Sequence, residues 1–312
     1  MASCPLGVFN AANESLHDFD VLDSQFREDG YLFFRQVLDV AQVLEVKRDF
    51  VRVLQQQGIV RAGTSEPIWT GAGLGAIDDN ALYGLGSYVE LIESQGMQQL
   101  MERVFGQPIF MFRGTNIRYS LPHDGLHMTP PHQDHFFIRA NSEFRTVWVP
   151  LMEIGKDVGG LALAVGSHKR GLREHREQEN VYSYQMRGRK QSGVALEHIG
   201  EPWLTTDYRA GDVLVFHSLM LHWALPNRSE RVRLSLDARC QPKRTPRTWQ
   251  AEKTIPELRR YRNDVKRIAT EERASEELFE AVVIEMMRRG LDAERGPVQA
   301  VMDDLGGISR VK

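Results

Sequence analysis

Short apolar or alternating runs dominate the middle of the chain. IFMFRGTNIRY (109–119), RTVWVPLM (145–152), LALAV (161–165), GVALEHI (193–199), VLVFH (213–217) and VRLSLDAR (232–239) read as strands, separated by clusters of Gly, Pro, Asn and Asp. Several short strands without helices between them point to an antiparallel sandwich or barrel. Ahead of them, YLFFRQV (31–37) reads as one more strand. Asp39 is placed to cap a helix carrying Val40, Val43, Leu44, Val51 and Leu54 at helical spacing, with Gly58 as its stop. A second helix is expected through Met97, Leu100, Met101 and Val104, ended by Gly106. Residues 59–87 read as loop, 1–18 as a loose N-terminus, and the polar stretch 166–192 as a surface excursion. From about 250 the pattern turns helical and charged. Leu278, Phe279, Val282, Val283 and Met286 make one apolar stripe there, with Gly290 as a stop.

The expected fold is therefore mainly β with flanking helices: a jelly-roll core over about 20–245 and a helical C-terminal extension over about 250–305, together one domain of 312 residues. That length suffices for a sizeable core. With 39 basic against 42 acidic residues the net charge is −3, which gives no reason to expect a nucleic-acid partner. No apolar run approaches 18 residues, so no membrane span is expected. The N-terminal stretch lacks a basic region followed by an apolar one, so no secretory signal is expected. Only Cys4 and Cys240 are present, which points to a reducing cytoplasm rather than a disulfide framework.

The chemistry concentrates in MTPPHQDHFFIRA (128–140). His132 and Asp134 are two residues apart, so on an extended segment both side chains project to one side. An imidazole and a carboxylate converging on one point supply two of the three ligands of the facial triad that holds oxygen-activating iron(II). His217 and His222 both remain candidates for the third, at the end of the strand 213–217 and just beyond it. Taken alone, the His-x-Asp pair is a weak signal, more often a surface-loop histidine beside a helix-capping or turn aspartate. The strand 232–239 adds weight, because Arg233, Ser235, Asp237 and Arg239 share one of its faces. That face points either to water or into a cavity. In a cavity, the guanidinium of Arg233 suits bidentate capture of a carboxylate, and the Ser235 hydroxyl can donate to the same oxygens.

EDGYLFF (28–34), PPHQD (130–134), the Gly159–Gly160 pair followed by GSHKRG (166–171), GDVLVFHSLMLHWALPNRS (211–229) and RVRLS (231–235) together resemble the phytanoyl-CoA dioxygenase family over about residues 20–245. The resemblance implies a double-stranded β-helix, iron(II) and O2, and 2-oxoglutarate as co-substrate, released as succinate and CO2. It matches His132 and Asp134 to the first two ligands, and His222 rather than His217 to the third. It also matches Arg233 to the residue binding the far carboxylate of 2-oxoglutarate, Ser235 to a helper hydroxyl and Trp148 to a cavity aromatic. Where many members place a hydroxyl after the third ligand, this chain has Trp223 and Ala224, and Thr129 is the candidate substitute. Because Asp134 keeps its carboxylate, hydroxylation is expected rather than halogenation, with desaturation, ring formation or epoxidation as other outcomes.

For the small-molecule substrate, Trp69, Tyr83, Asn116, Arg118, His135 and Phe136 are the candidates near the mouth. The lack of a dense basic patch favours a secondary-metabolite intermediate or a free small acid, amino acid or phosphonate over a CoA thioester. The C-terminal helices suit a lid or the interface of a homodimer. Two other classes compete: a cupin-like metalloenzyme without 2-oxoglutarate, for which Arg233 is dispensable, and a non-enzymatic jelly-roll binding module, for which the three ligands are.

Overall fold

The computed structural model describes residues 6–124, 129–138, 140–182, 190–272 and 274–309. They fall into a large compact unit drawn from Met1–Met111, Thr115–Ile138 and Ser142–Thr245 and a small one from Phe112–Gly114, Arg139–Asn141 and Pro246–Lys312.

The large unit begins with a short strand β1 (Gly7–Val8), helix α1 (Phe19–Asp29) and strand β2 (Tyr31–Phe34). The side chain of Asp18 accepts a hydrogen bond from the Val21 amide to open α1, and Gly30, at φ 79°, closes it. Helix α2 (Val40–Gln56) starts on the Asp39 cap as expected. The segment read as loop contains α3 (Asp79–Tyr83) and runs into α4 (Ser87–Ile92); α5 (Gln95–Phe105) follows and ends at Gly106. Next come β3 (Ile109–Met111), β4 (Asn116–Ser120), the short helix α6 (Asp134–Ile138), β5 (Arg145–Pro150) and β6 (Leu161–Ala164). Strands β7 (Arg176–Tyr182) and β8 (Lys190–Gly193) pair antiparallel; the residues between them lie outside those described. The unit ends with β9 (Trp203–Thr205), β10 (Val213–His217), β11 (His222–Ala224) and β12 (Arg233–Pro242).

Two sheets form the jelly roll. One has the order β1-β9-β6-β11. The other runs β2-β10-β5-β12-β3, with β4 also paired to β12. The expected jelly-roll core with flanking helices is the fold observed. Three further local expectations are corrected. β1 pairs with β9, and Ala11 bridges to Phe33, so residues 7–12 are tied into both sheets rather than loose, while residues 1–5 lie outside those described. Val194–Ile199 is not a strand: Val194 donates to the Pro131 carbonyl and Leu196–His198 form a 3-10 turn. The run 109–119 is broken into β3 and β4.

The central strands β5 and β12 are buried along their whole length, so both of their faces are covered. One face meets the helices. From it Arg145 stacks its guanidinium between the rings of Phe26 in α1 and Phe105 in α5, at 3.8 and 4.0 Å, and donates to the Val104 carbonyl at 2.8 Å. The other face carries Thr146 and Trp148 from β5 and Arg233, Ser235, Asp237 and Arg239 from β12. This inward polar face builds the site.

The small unit contains α7 (Ile255–Glu271), α8 (Glu276–Arg289) and α9 (Arg295–Ser309). Thr254 and Glu257 form a reciprocal capping box at the start of α7. Phe279, Val282, Val283 and Met286 of the expected stripe are buried against Val265, Ile268, Val298 and Val301 in a core of its own. Among the described residues no helix is long and apolar enough to cross a membrane.

Candidate active site

His132 and His222 face each other across a backbone bridge. The His132 amide donates to the His222 carbonyl at 3.1 Å, and the His222 amide donates back at 3.0 Å. Residues paired this way share a face, and the two rings stand 4.1 Å apart. Asp134 reaches them differently from the extended i,i+2 arrangement expected. His132 is extended, but Asp134 is the first residue of α6, and the turn of the helix brings its carboxylate back to the rings.

The protonation pattern follows from the partners. Nδ1 of His132 lies 2.8 Å from the Pro130 carbonyl and Nδ1 of His222 lies 3.0 Å from the Met220 carbonyl. A carbonyl can only accept, so both Nδ1 atoms carry the hydrogen and both Nε2 atoms present a lone pair. These stand 3.8 and 3.7 Å from Oδ1 of Asp134, and one ligand atom from each of the three residues lies within 4.8 Å of the others. Such spacing is too wide for hydrogen bonds and suits a shared cation. Burial lowers the pKa of both histidines and keeps the imidazoles neutral. Burial pushes Asp134 the other way. Arg239, His222, His132 and the Thr146 hydroxyl more than offset it and hold the carboxyl well below the usual range. Two neutral imidazoles and one carboxylate, all buried, are the donor set of the non-haem iron(II) facial triad. The residues fit the metal.

Beside the triad lies a small pocket that opens to solvent. Of the residues singled out from sequence, His132, His222, Thr129, Trp148, Arg118 and Arg233 line it. Arg233 is 4% exposed and donates from Nη1 to the Gly159 carbonyl at 2.7 Å. Gly159 itself, at φ 74°, passes so close to the Leu225 and Pro226 carbonyls that a Cβ would stand 2.4 Å from each oxygen, so only glycine fits. Ser235 is fully buried on the same strand face, and its Oγ has no hydrogen-bond partner among the described residues. Trp148 packs edge-on against Tyr208. Arg118 donates from Nε to Asp237 at 2.5 Å on the cavity wall.

Other candidates are engaged elsewhere and are not among the described lining residues. Trp69 donates to the Ala72 carbonyl, and the Tyr83 hydroxyl accepts from the Ile117 amide. Asn116 stands opposite Asp237 in the β4–β12 register. The His135 amide donates to the Ser218 carbonyl, and Phe136 stacks on His175 at 4.2 Å. The His217 ring packs beside Phe26 and His168, and its Nδ1 accepts from the Leu219 amide. Sequence reasoning missed Thr146 and Gln133, and placed Asp237 and Arg239 only on a shared strand face. Gln133 is buried between the two ligands and ties Gly171, Arg173 and Leu219 together through its side chain. The alternation on β12 was the available signal for Asp237 and Arg239. For Thr146 and Gln133 there was none.

A jelly roll with a buried His–Asp–His set beside a cavity defines the class of non-haem iron oxygenases. The phytanoyl-CoA dioxygenase family model matches residues 26–235, and the chain belongs to that family. It is accordingly an oxidoreductase whose cofactor is iron and whose co-substrates are 2-oxoglutarate and O2. The 1-deoxypentalenic acid 11-beta-hydroxylase of Streptomyces arenae is 36% identical over 251 residues, covering 78% of this chain and 88% of the relative. Among solved structures, the epimerase SnoN in complex with Fe3+, alpha ketoglutarate and nogalamycin RO has a TM-score of 0.51 at 23% identity, covering 72% of this chain and 83% of that one. The carbocyclase SnoK from nogalamycin biosynthesis has a TM-score of 0.52 at 21% identity, covering 76% and 87%. These structures share the fold.

Proposed function

We propose that this enzyme hydroxylates a small secondary-metabolite intermediate in the cytoplasm, with His132, Asp134 and His222 holding iron(II) and Arg233 and Ser235 holding the far carboxylate of 2-oxoglutarate. The observation that carries the reading is the convergence of the two Nε2 lone pairs and Asp134 Oδ1 beside a cavity whose wall includes a buried arginine. When bound, the metal with 2-oxoglutarate and O2 supplies the oxidising power. The chain's own residues supply position and dryness. The Pro130 and Met220 carbonyls fix the ring tautomers. Arg233, taken out of water, gains from a carboxylate partner far more than it would in solvent. The buried hydroxyl of Ser235 supports the same site, because an unpaired buried donor costs about 1–3 kcal/mol until something accepts from it. Trp148, Leu161 and Leu225 keep water from the reacting centre. The S. arenae relative, a hydroxylase by name, supports hydroxylation of a secondary metabolite here.

The test is anaerobic titration of the iron(II)-loaded protein with 2-oxoglutarate, following the weak visible charge-transfer band of a chelated keto acid. The band is expected in the wild type, absent in His222→Ala, and shifted to much higher 2-oxoglutarate concentration in Arg233→Ala. Iron binding without a band, or unchanged 2-oxoglutarate affinity in Arg233→Ala, would overturn the co-substrate assignment in favour of a cupin-like enzyme.

A further inference from the structure

The two oxygens of Asp134 have different surroundings. Oδ1 faces the Nε2 atoms of His132 and His222. Oδ2 accepts three hydrogen bonds: from the Thr146 hydroxyl at 2.6 Å, from Arg239 Nη2 at 3.0 Å and from Arg239 Nε at 3.2 Å. Thr146 and Arg239 are direct cross-strand partners in the β5–β12 register, and both are almost fully buried. The Nε–Nη2 edge of a guanidinium can span both oxygens of a carboxylate side by side. Here both nitrogens converge on one oxygen. A carboxylate oxygen has two lone pairs, so three donors leave Oδ2 nothing to offer a metal. The arginine's buried charge also holds it there, since it would be costly to strip of its partner.

We propose that the Arg239–Thr146 pair makes Asp134 a one-oxygen ligand and so keeps a coordination position at the metal open to exchangeable ligands. Both are positioning residues, acting through Asp134. The inference rests on the triad being the metal site. It goes beyond that reading by assigning the coordination number to two residues that sequence motifs do not mark.

The experiment loads the full-length protein with Mn(II), without oxidation chemistry, and measures water-proton relaxation per bound ion. With Asp134 bound through one oxygen, a six-coordinate ion on this triad keeps three water positions. Arg239→Met frees Oδ2 to bind as well, leaving two, so relaxivity per bound ion falls by about one third. Thr146→Val alone leaves two arginine donors on two lone pairs and stays with the wild type. Arg239→Lys, which retains a cationic donor, stays with the wild type. If Arg239→Met does not fold, the double variant Arg239→Lys with Thr146→Val, which leaves Oδ2 a single donor and keeps the buried positive charge, decides by the same fall. Wild-type relaxivity per bound ion in Arg239→Met, or in the double variant where it replaces it, even with weakened affinity, would reduce the pair to a packing role and overturn the proposal. A His222→Ala protein that binds Mn(II) as tightly as the wild type fails differently: it removes the triad itself.

Discussion

Replacing His217 by Asn separates the two histidines of the 211–229 segment in one experiment. The His217 ring lies beside Phe26 and His168. Burial first, then the charges of His168, Arg145 and His135, pushes its pKa down to about 4. In the unfolded chain the value is the ordinary one, about 6.5. Between these values the unfolded state binds a proton that the folded state refuses, so stability is lost as pH falls from about 6.5 to about 4 and is level above that window. The full shift would correspond to about 3 kcal/mol; the ring's partial exposure reduces this to about 2 kcal/mol. Asn is chosen because its Oδ1 can replace Nδ1 as acceptor for the Leu219 amide two residues on. Urea unfolding at several pH values is the assay. At pH 7 the variant is less stable by about 1–2 kcal/mol from lost packing. That gap should narrow by about 2 kcal/mol on going to pH 4. His168, whose pKa burial also lowers, leaves a residual slope in both proteins. Parallel curves would refute a buried neutral imidazole at 217. Loss of metal binding at pH 7 would refute the assignment of the third ligand to His222.

Ser235→Ala removes a buried hydroxyl with no partner, so unfolding free energy should stay within about 1 kcal/mol of wild type or rise. The same variant should bind 2-oxoglutarate about five- to tenfold more weakly in the anaerobic titration, one lost hydrogen bond's worth. Arg145→Met loses two aromatic faces and leaves the Val104 carbonyl without its donor, a destabilisation of about 3 kcal/mol by urea unfolding. Gln133→Leu leaves three half-buried backbone groups without their partner at once, those of Gly171, Leu219 and Arg173, and should cost about 2 kcal/mol while weakening metal binding. Cys240 is fully buried, which pushes its thiol up to about 12, so it should react with thiol reagents only on unfolding.

The residues that sequence placed best are those whose evidence is local. The strand 213–217, α2 behind Asp39 and α5 before Gly106 carry their period and their caps within one window. What sequence misplaced depends on distant partners. GVALEHI has the composition of a strand, yet β8 stops at Gly193, where a Cβ would collide with Pro130. β11 spans three residues, too few for any period, and exists because β6 and the backbone of His132 pair with it. Helix α1 had its signals, Asp18 and Gly30, but its outward charges obscured a stripe of which Leu22 and Phe26 are the buried part.

The same distinction runs through the site. His132, Asp134, His222 and Arg233 sit in short motifs, so each could be named before the fold was known. Their supports could not. Thr146 and Arg239 meet only because β5 and β12 are neighbours in one sheet, 93 positions apart in the chain. Alternation put Arg239 on a face with Arg233, Ser235 and Asp237, but alternation cannot say whether such a face meets water. The decision lies with the second sheet: once it covers that face, every charge on β12 needs a partner. Asp237 takes Arg118, Arg239 takes Asp134 and Arg233 takes the Gly159 carbonyl. The Ser235 hydroxyl on this face has no hydrogen-bond partner among the described residues. An unmatched buried hydroxyl two residues from a buried guanidinium supports the proposal that this face takes a ligand bringing its own acceptor, and Ser235→Ala tests it, because a hydroxyl with no such ligand would be lost without effect on 2-oxoglutarate affinity.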